Sequence, residues 1–351
     1  KKGCEALERE LWQYLKMVEK PIVLYGMGNG ADKIIKVLSE YGIKFDGVFA
    51  SDGFVRNKLF HGHKISSYAD LKEKFGNMLV LLCFGSERPE VIANVKRIAS
   101  EQELYAPEVP VIGGGLFTKS YYEQNKAEFD WVYEHLADDI SKKTFINTIK
   151  YKISGKIDYL FDCEVSGDEP YESFLKLSKN ENFLDLGAYT GDTVTDFIKR
   201  VGEYDSITAI EPDKKSYKKL CLNTEGLKNI TTINAAVSDN DKKALFGMRG
   251  GRNSGVSDGK TEIEFLTVDS ISQNNDITYI KMDVEGEELR VIKGATYTIK
   301  NNKPKMLVSC YHRTEDLITL PKAIYNIRCD YKLYMRHFSS LPAWDTNYYF
   351  V

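Results

Sequence analysis

The chain has no Cys-x-x-Cys pair, and its six cysteines, at positions 4, 83, 163, 221, 310 and 329, follow no disulfide-like spacing. Scattered thiols exclude a disulfide-stapled scaffold and favour a reducing, cytoplasmic setting. No apolar run reaches the roughly 18–20 residues that cross a bilayer, so no membrane span is expected. Net charge is only −3, which leaves no bulk attraction to nucleic acid or to a membrane surface. There is no low-complexity tract and no repeat at a solenoid period. The opening residues, KKGCEALERELWQYLKMVEKP, carry acids every few positions and do not read as a secretory signal. They predict an amphipathic helix with Leu7, Leu11, Tyr14, Leu15 and Val18 on one face, stopped by Pro21.

What is present is an ordinary soluble composition, 42% hydrophobic and 28% charged, on 351 residues, which predicts two domains rather than one. The most informative stretch is NFLDLGAYTGDT, Asn182–Thr193. An apolar run around Asp185 leads into a turn with Gly187, Ala188, Tyr189 and Gly191. Asp192 and Thr193 then open a periodic segment, Val194, Phe197, Ile198 and Val201. That order reads as strand, glycine turn, helix. Such a turn lets a ligand approach the backbone, with the amides of the helix start facing it. A second strand, Ser206–Ile210, ends in Glu211-Pro212, and Glu211 lies 20 residues after Gly191. In doubly wound folds an acid there takes the ribose hydroxyls of a nucleoside, and a carboxylate can accept from both of a vicinal pair. On these residues alone NAD, FAD and S-adenosylmethionine all remain open.

A first domain, 1–115, repeats the theme. The strand Ile22–Tyr25 precedes Gly26, Gly28 and Ala31 in a G-x-G-x-x-A arrangement, and Asp52 ends a second strand, Phe45–Ser51. This is a possible second nucleotide site, or a turn whose glycines serve packing alone. Further strands are expected at Met78–Phe84 and Val109–Ile112, with a helix at Pro89–Ser100. His61 and His63 read either as strand neighbours or as loop histidines. No Tyr-x-x-x-Lys or similar hydride-transfer set is evident. Residues 116–165 form a helical connector whose aromatic stripe, Tyr121, Phe129, Trp131 and Phe145, either walls a cleft or packs the two domains together.

In the remainder, 166–351, a third strand is expected at Ile230–Val237, where Ala235 and Ala236 leave room for a flat ring. Lys243–Met248 and Thr261–Val268 read as two strands around the loop MRGGRNSGVSDGK, either a lid or an ordinary hairpin loop. ITYIKMDVEGEE delivers Asp283 and Glu285 to the carboxyl edge of a fourth strand, with Glu288 three residues on. Asp283 with Glu285 could hold a divalent ion, but no metal site is readable from spacing, and none is expected. KMLVSCYH, Lys305–His312, brings Tyr311 and His312 to the same edge. Histidine titrates near neutrality, which makes His312 the first choice for a general base, and Arg313 could hold an anionic acceptor. Tyr331–Ser339 and Thr346–Val351 alternate as two closing strands, with Arg336 and His337 on the first.

DLGAYTGDT, AIEPD, NAAVSD and IKMDVEGEELRVIKGA, in this order, resemble the FkbM family of S-adenosylmethionine-dependent methyltransferases over roughly Asp168 to Val351. YKLYMRHFS is similar to the family's closing hairpin. Leu24 to Leu71 resembles N-terminal domains found on some sugar-modifying acyltransferases. The resemblance implies an α/β fold of two doubly wound Rossmann-like domains, the second a class I methyltransferase sheet with a terminal antiparallel hairpin. It implies S-adenosylmethionine as cofactor, held by Asp185, Gly187, Ala188, Tyr189, Gly191, Asp192, Thr193, Glu211, Pro212, Ala235, Ala236 and Asp283. It points to O-methylation of a sugar or other small polyhydroxylated acceptor. His312, Asp283 and Glu285 would be catalytic, and Glu285, Tyr311, Arg313, Arg336 and His337 would meet the acceptor. The rival readings are an NAD(P)-dependent oxidoreductase or nucleotide-sugar-binding protein working from the first domain, and a regulatory protein that binds S-adenosylmethionine without chemistry.

Overall fold

The computed structural model describes residues 8–51, 58–246, 261–272 and 276–351. Leu7, Asp52 and the loop MRGGRNSGVSDGK lie outside the described residues.

Strands β1 (Ile22–Tyr25), β2 (Gly47–Phe49), β3 (Leu59–Phe60), β4 (His63–Ser66), β5 (Leu79–Leu82) and β6 (Glu103–Tyr105) form one sheet, in the order β3-β4-β2-β1-β5-β6. The pairs are parallel except for β3 with β4. Every residue of β1 and β5 is buried, as expected when helices cover both faces of a parallel sheet. The last strand departs from expectation: Glu103–Tyr105 pairs with β5, not Val109–Ile112. Pro110 in the latter has no amide to donate to a ladder. The first helix is shorter than predicted, Leu11–Leu15, and ends well before Pro21. His61 sits in the turn before β4 with a φ of 47°, and its Nε2 lies 2.7 Å from Asp32 Oδ1.

The second sheet contains β7 (Asn182–Leu186), β8 (Ser206–Ile210), β9 (Ile230–Ile233), β13 (Tyr279–Met282), β14 (Lys305–Ser309), β15 (Leu333–His337) and β16 (Thr346–Phe350). Its order is β15-β16-β14-β13-β7-β8-β9. The chain runs from β7 outward to β9, then returns to β13 on the other side of β7. This makes the gap between β7 and β13 the switch point at which open α/β sheets bind ligands. The closing hairpin β15–β16 is antiparallel, and β16 joins β14 antiparallel. The expected strand Ile230–Val237 is split. After β9 the chain leaves the main sheet, and β10 (Ala236–Val237) pairs with β12 (Thr261–Leu266), itself paired with β11 (Lys242–Phe246).

The connector joins the two halves through the helix Asp139–Ser154, begun by the Asp138 side chain accepting from the Ser141 amide and ended at Gly155 in the left-handed conformation. Phe145, Ile149 and Ile153 enter the core beneath the second sheet. Tyr151, on another face of this helix, packs with Val23, Val80, Leu341 and Ala343 in the core of the first. Phe117, Phe129 and Val132 are buried in the same core as Phe145, so the aromatic stripe packs beneath the second sheet. A direct seam adds to this: the backbones of Ser86 and Leu341 exchange two hydrogen bonds, 2.7 and 3.0 Å. A Cβ on Gly85 would lie 2.1 Å from the Trp344 ring, so this contact requires glycine.

Candidate functional site

The switch point is built by backbone contact. Gly187 follows β7 with a φ of 80°, and a Cβ there would stand 1.9 Å from the carbonyl oxygen of Asp283, at the end of β13. Only glycine fits such an approach. Its amide and that of Ala188 donate to Ile210 O at 3.0 and 2.9 Å, so three strand ends meet at this turn. Gly191, with a φ of 88°, then starts the helix Asp192–Val201.

A cleft of about 690 Å³ opens over these strand ends. One end is lined by Gly187, Tyr189, Asp192, Thr193, Glu211, Pro212, Ala235 and Ala236. Glu211 Oε2 accepts from the Tyr189 amide at 2.9 Å and Oε1 from the Asp213 amide at 2.7 Å. Each oxygen keeps a second acceptor site. Burial pushes the Glu211 carboxyl up to about 7 against the pull of those two amides. Asp185, Ala188 and Gly191 are buried one layer behind the turn and are not among the residues that line the cleft. Their place is behind the lining, where they shape the turn.

Residues 185–333 match the family described as the methyltransferase FkbM domain. That stretch is similar to an FkbM methyltransferase domain. Among solved structures, it resembles methyltransferase FkbM from Methylobacillus flagellatus KT, with a TM-score of 0.72 and 22% identity over 95% of this chain and 90% of that one. At that identity the likeness is one of fold, and it spans both domains. Two further structures match about half of the chain at low scores. Aeropyrum pernix fibrillarin, solved with S-adenosyl-L-methionine, has a TM-score of 0.34 and 13% identity over 51% of this chain and 70% of its own. Precorrin-6y C5,15-methyltransferase from Geobacter metallireducens GS-15 has 0.33 and 12% over 50% and 81%. No curated protein matches the chain.

The other end of the cleft is lined by Asp283, Glu285, Ser309, Tyr311, Trp344, Asp345 and Asn347, and by Glu87 and Val111 from the first domain. Tyr311 Oη lies 3.4 Å from Asp283 Oδ1. Asn347 donates to Asp345 Oδ1 at 3.0 Å and accepts from Ser309 at 3.1 Å, which fixes Asp345 in place. Burial, with Asp283 and Glu87 nearby, raises the Asp345 carboxyl above its ordinary value even though Asn347 opposes it. Three of the non-glycine residues held at positive φ, Tyr189, Glu285 and Asp345, line this cleft, and strain of this kind gathers at functional sites.

Lys281 was not singled out from sequence, yet it lines the cleft between the two ends. Its Nζ donates to Gly187 O at 3.0 Å and lies 3.5 Å from Asp185 Oδ1 and 3.9 Å from Asp283 Oδ2. Burial lowers its ammonium, but Asp185, Asp283 and Asp192 outweigh that and hold it above the usual lysine range. Burial in turn lifts Asp185 to about 6, with Lys281 opposing. The only sequence signal was period: Ile280 and Met282 face a core, and the residue between them faces the other way.

Several expected roles are corrected. His312 lies past the end of β14 and is wholly buried. Its Nδ1 is 2.9 Å from Glu288 Oε1, and Nε2 is 3.5 Å from both Asp283 Oδ1 and Glu285 Oε2. Burial would lower its pKa, but Glu288, Asp283 and Glu285 raise it to about 10. Wholly buried and absent from the lining of the cleft, His312 does not face the acceptor end directly as a general base would. Arg313 is not at the acceptor end: its Nε donates to Gly286 O at 2.6 Å, bracing the loop after β13. Arg336 is buried in ion pairs with Asp138 and Glu169 at 2.7 and 2.5 Å. His337 is buried with Nδ1 2.8 Å from Thr346 Oγ1, and burial pulls it down to about 4. Both belong to the hairpin's attachment and not to the acceptor site.

The first domain's glycine turn has packing reasons of its own. A Cβ on Gly26 would meet the Phe84 ring at 2.5 Å, and one on Gly30 would meet Cys83 O at 2.3 Å. Ala31 is buried, and Gly28 has nothing within 4 Å of a Cβ position.

Proposed function

We propose that the protein is an S-adenosylmethionine-dependent O-methyltransferase acting on a sugar or other small polyhydroxylated acceptor. The observation that carries this reading is the continuity of the cleft. One lining runs from Gly187 and Glu211 to Asp283, Glu285 and Asp345, within and beside the FkbM domain. The residues fit a nucleoside. Gly187 leaves the backbone bare, the free acceptor sites of Glu211 suit a vicinal diol, and the small side chains of Ala235 and Ala236 leave space for a flat ring.

S-adenosylmethionine, when bound, supplies a methyl group made electrophilic by its sulfonium. Gly187, Glu211, Ala235 and Ala236 would hold it, and an acceptor hydroxyl would take the methyl group with the electron pair left on sulfur. The hydroxyl proton passes to a carboxylate. Asp345, made more basic by burial and fixed by Asn347, is the residue placed for it. Asp283 and Glu285 orient the acceptor. Alignment of the reacting atoms supplies most of the acceleration, and the base adds about 10²–10⁴-fold.

The acceptor end favours a neutral polyol. Trp344 offers a flat face to C–H groups, and carboxylates accept from neighbouring hydroxyls. Glu87, Asp283, Glu285 and Asp345 together repel phosphorylated or carboxylated acceptors. The test is incubation with S-adenosylmethionine and a panel of neutral sugars and their phosphate esters, with S-adenosylhomocysteine release read by mass spectrometry. Release dependent on a neutral polyol supports the proposal. Release with phosphate esters alone contradicts the acceptor class, and none with any hydroxyl compound contradicts O-methylation.

A further inference from the structure

Two buried side chains have no task in the transfer described above. Behind the acceptor end, the side chains of His312 and Glu288 are both 0% exposed. The two ring nitrogens of His312 and Oε2 of Glu288 all lack a hydrogen-bond partner. Although Glu288 Oε1 lies 2.9 Å from Nδ1, it lacks the alignment of a hydrogen bond. Buried polar atoms are normally paired, so three orphans in one place point to an ion or a water among them.

The distances favour an ion. His312 Nε2 stands 3.5 Å from Asp283 Oδ1 and 3.5 Å from Glu285 Oε2, beyond ordinary hydrogen-bond length. Donors that share a cation bound at about 2.0–2.2 Å stand about 3.0–3.5 Å apart. Donor atoms of Asp283, Glu288 and His312 all lie within 4.8 Å of one another, so small side-chain shifts bring them around one centre. Charge agrees, since Asp283, Glu285 and Glu288 converge on a single imidazole. The Lys281 ammonium touches only the edge of the group, 3.9 Å from Asp283 Oδ2. The Glu288 carboxylate is itself held in place, accepting from the Val284 amide at 3.0 Å and the Gly286 amide at 3.3 Å.

We propose that His312, Asp283 and Glu288, with Glu285 at the rim, form a binding site for one divalent transition-metal ion. An imidazole among carboxylates selects ions of the Mn²⁺ and Zn²⁺ class over Mg²⁺ or Ca²⁺, which prefer oxygen alone. Asp283 and Glu285 also line the cleft, so an ion held there would border the acceptor end. There, resting on the methyl-transfer reading of that cleft, it would act as a Lewis acid that lowers the pKa of the acceptor hydroxyl.

The test is made on the full chain, stripped with chelator and titrated with Mn²⁺, with free ion read by electron paramagnetic resonance. One equivalent should bind saturably. His312→Ala and Glu288→Gln should each weaken binding by about 10-fold or more. Glu285→Gln changes a partly exposed side chain and should weaken it in the same direction with the fold kept, should the buried variants fail to fold. Folded wild type that binds neither Mn²⁺ nor Zn²⁺ saturably overturns the proposal, and so does wild-type affinity in folded Glu285→Gln. S-adenosylhomocysteine titrated into the same samples separates the two readings. Nucleoside binding without metal binding sinks the metal site alone, and metal binding without nucleoside binding leaves the site standing and sinks the methyl-donor reading.

Discussion

Glu211 keeps a proton that an exposed glutamate would lose, because burial lifts its carboxyl to about 7. Two consequences have opposite signs. In the unliganded protein the folded value exceeds the ordinary 4.5, so its contribution to stability is complete below about pH 4.5 and is lost as pH rises through about 7. Ligand binding runs the other way, since ribose hydroxyls donate best to the ionised form. Affinity for S-adenosylhomocysteine should climb between about pH 5 and 7 and then level off, with proton release in the lower range. Calorimetry in buffers of different ionisation enthalpy reads both. Glu211→Gln should bind about 10-fold more weakly, a loss of about 1.4 kcal/mol, with a flat pH profile. Glu211 was legible in the sequence because its strand and its spacing from Gly191 were. Lys281 was not, because a lysine inside an apolar strand has no partner until Asp185 and the Gly187 carbonyl are folded against it.

At the scale of elements, the alternation in Tyr331–Ser339 correctly gave a strand but misled about its face. A period of two says which residues share a side, not what covers that side. The helix Asp139–Ser154 supplies the cover, and Arg336 reaches the Asp138 that caps it. Removing one partner of a buried ion pair is costly. Arg336→Met should therefore destabilise the protein by about 3 kcal/mol in urea unfolding, with the S-adenosylhomocysteine affinity of the folded protein unchanged. A large loss of affinity with stability intact would return Arg336 to the acceptor site. Elements were most legible where glycine, period and length agreed, as in β7 with its turn. They were least so where the chain leaves a sheet, as between β9 and β10, because no local residue marks the change of partner.

At the scale of the molecule, the first domain's contribution to the cleft could not be read from sequence at all. Glu87 and Val111 carry no motif; Glu87 follows the seam where Gly85 admits Trp344 and Ser86 pairs with Leu341, and Val111 precedes Ile112, whose amide donates to His312 O at 3.2 Å. One helix serves both cores through Tyr151 and Phe145. The two domains should therefore unfold in a single calorimetric transition, and two separated transitions would show that the shared helix does not couple them. Whatever the acceptor and whatever the role of a metal, the central claim is that the edge between β7 and β13 holds the nucleoside of a methyl donor. Isothermal titration of the purified full chain with S-adenosylhomocysteine tests it most directly. The expected result is one equivalent bound with micromolar affinity, lost in Gly187→Val; folded wild-type protein that binds none, or that binds NAD in its place, would contradict it.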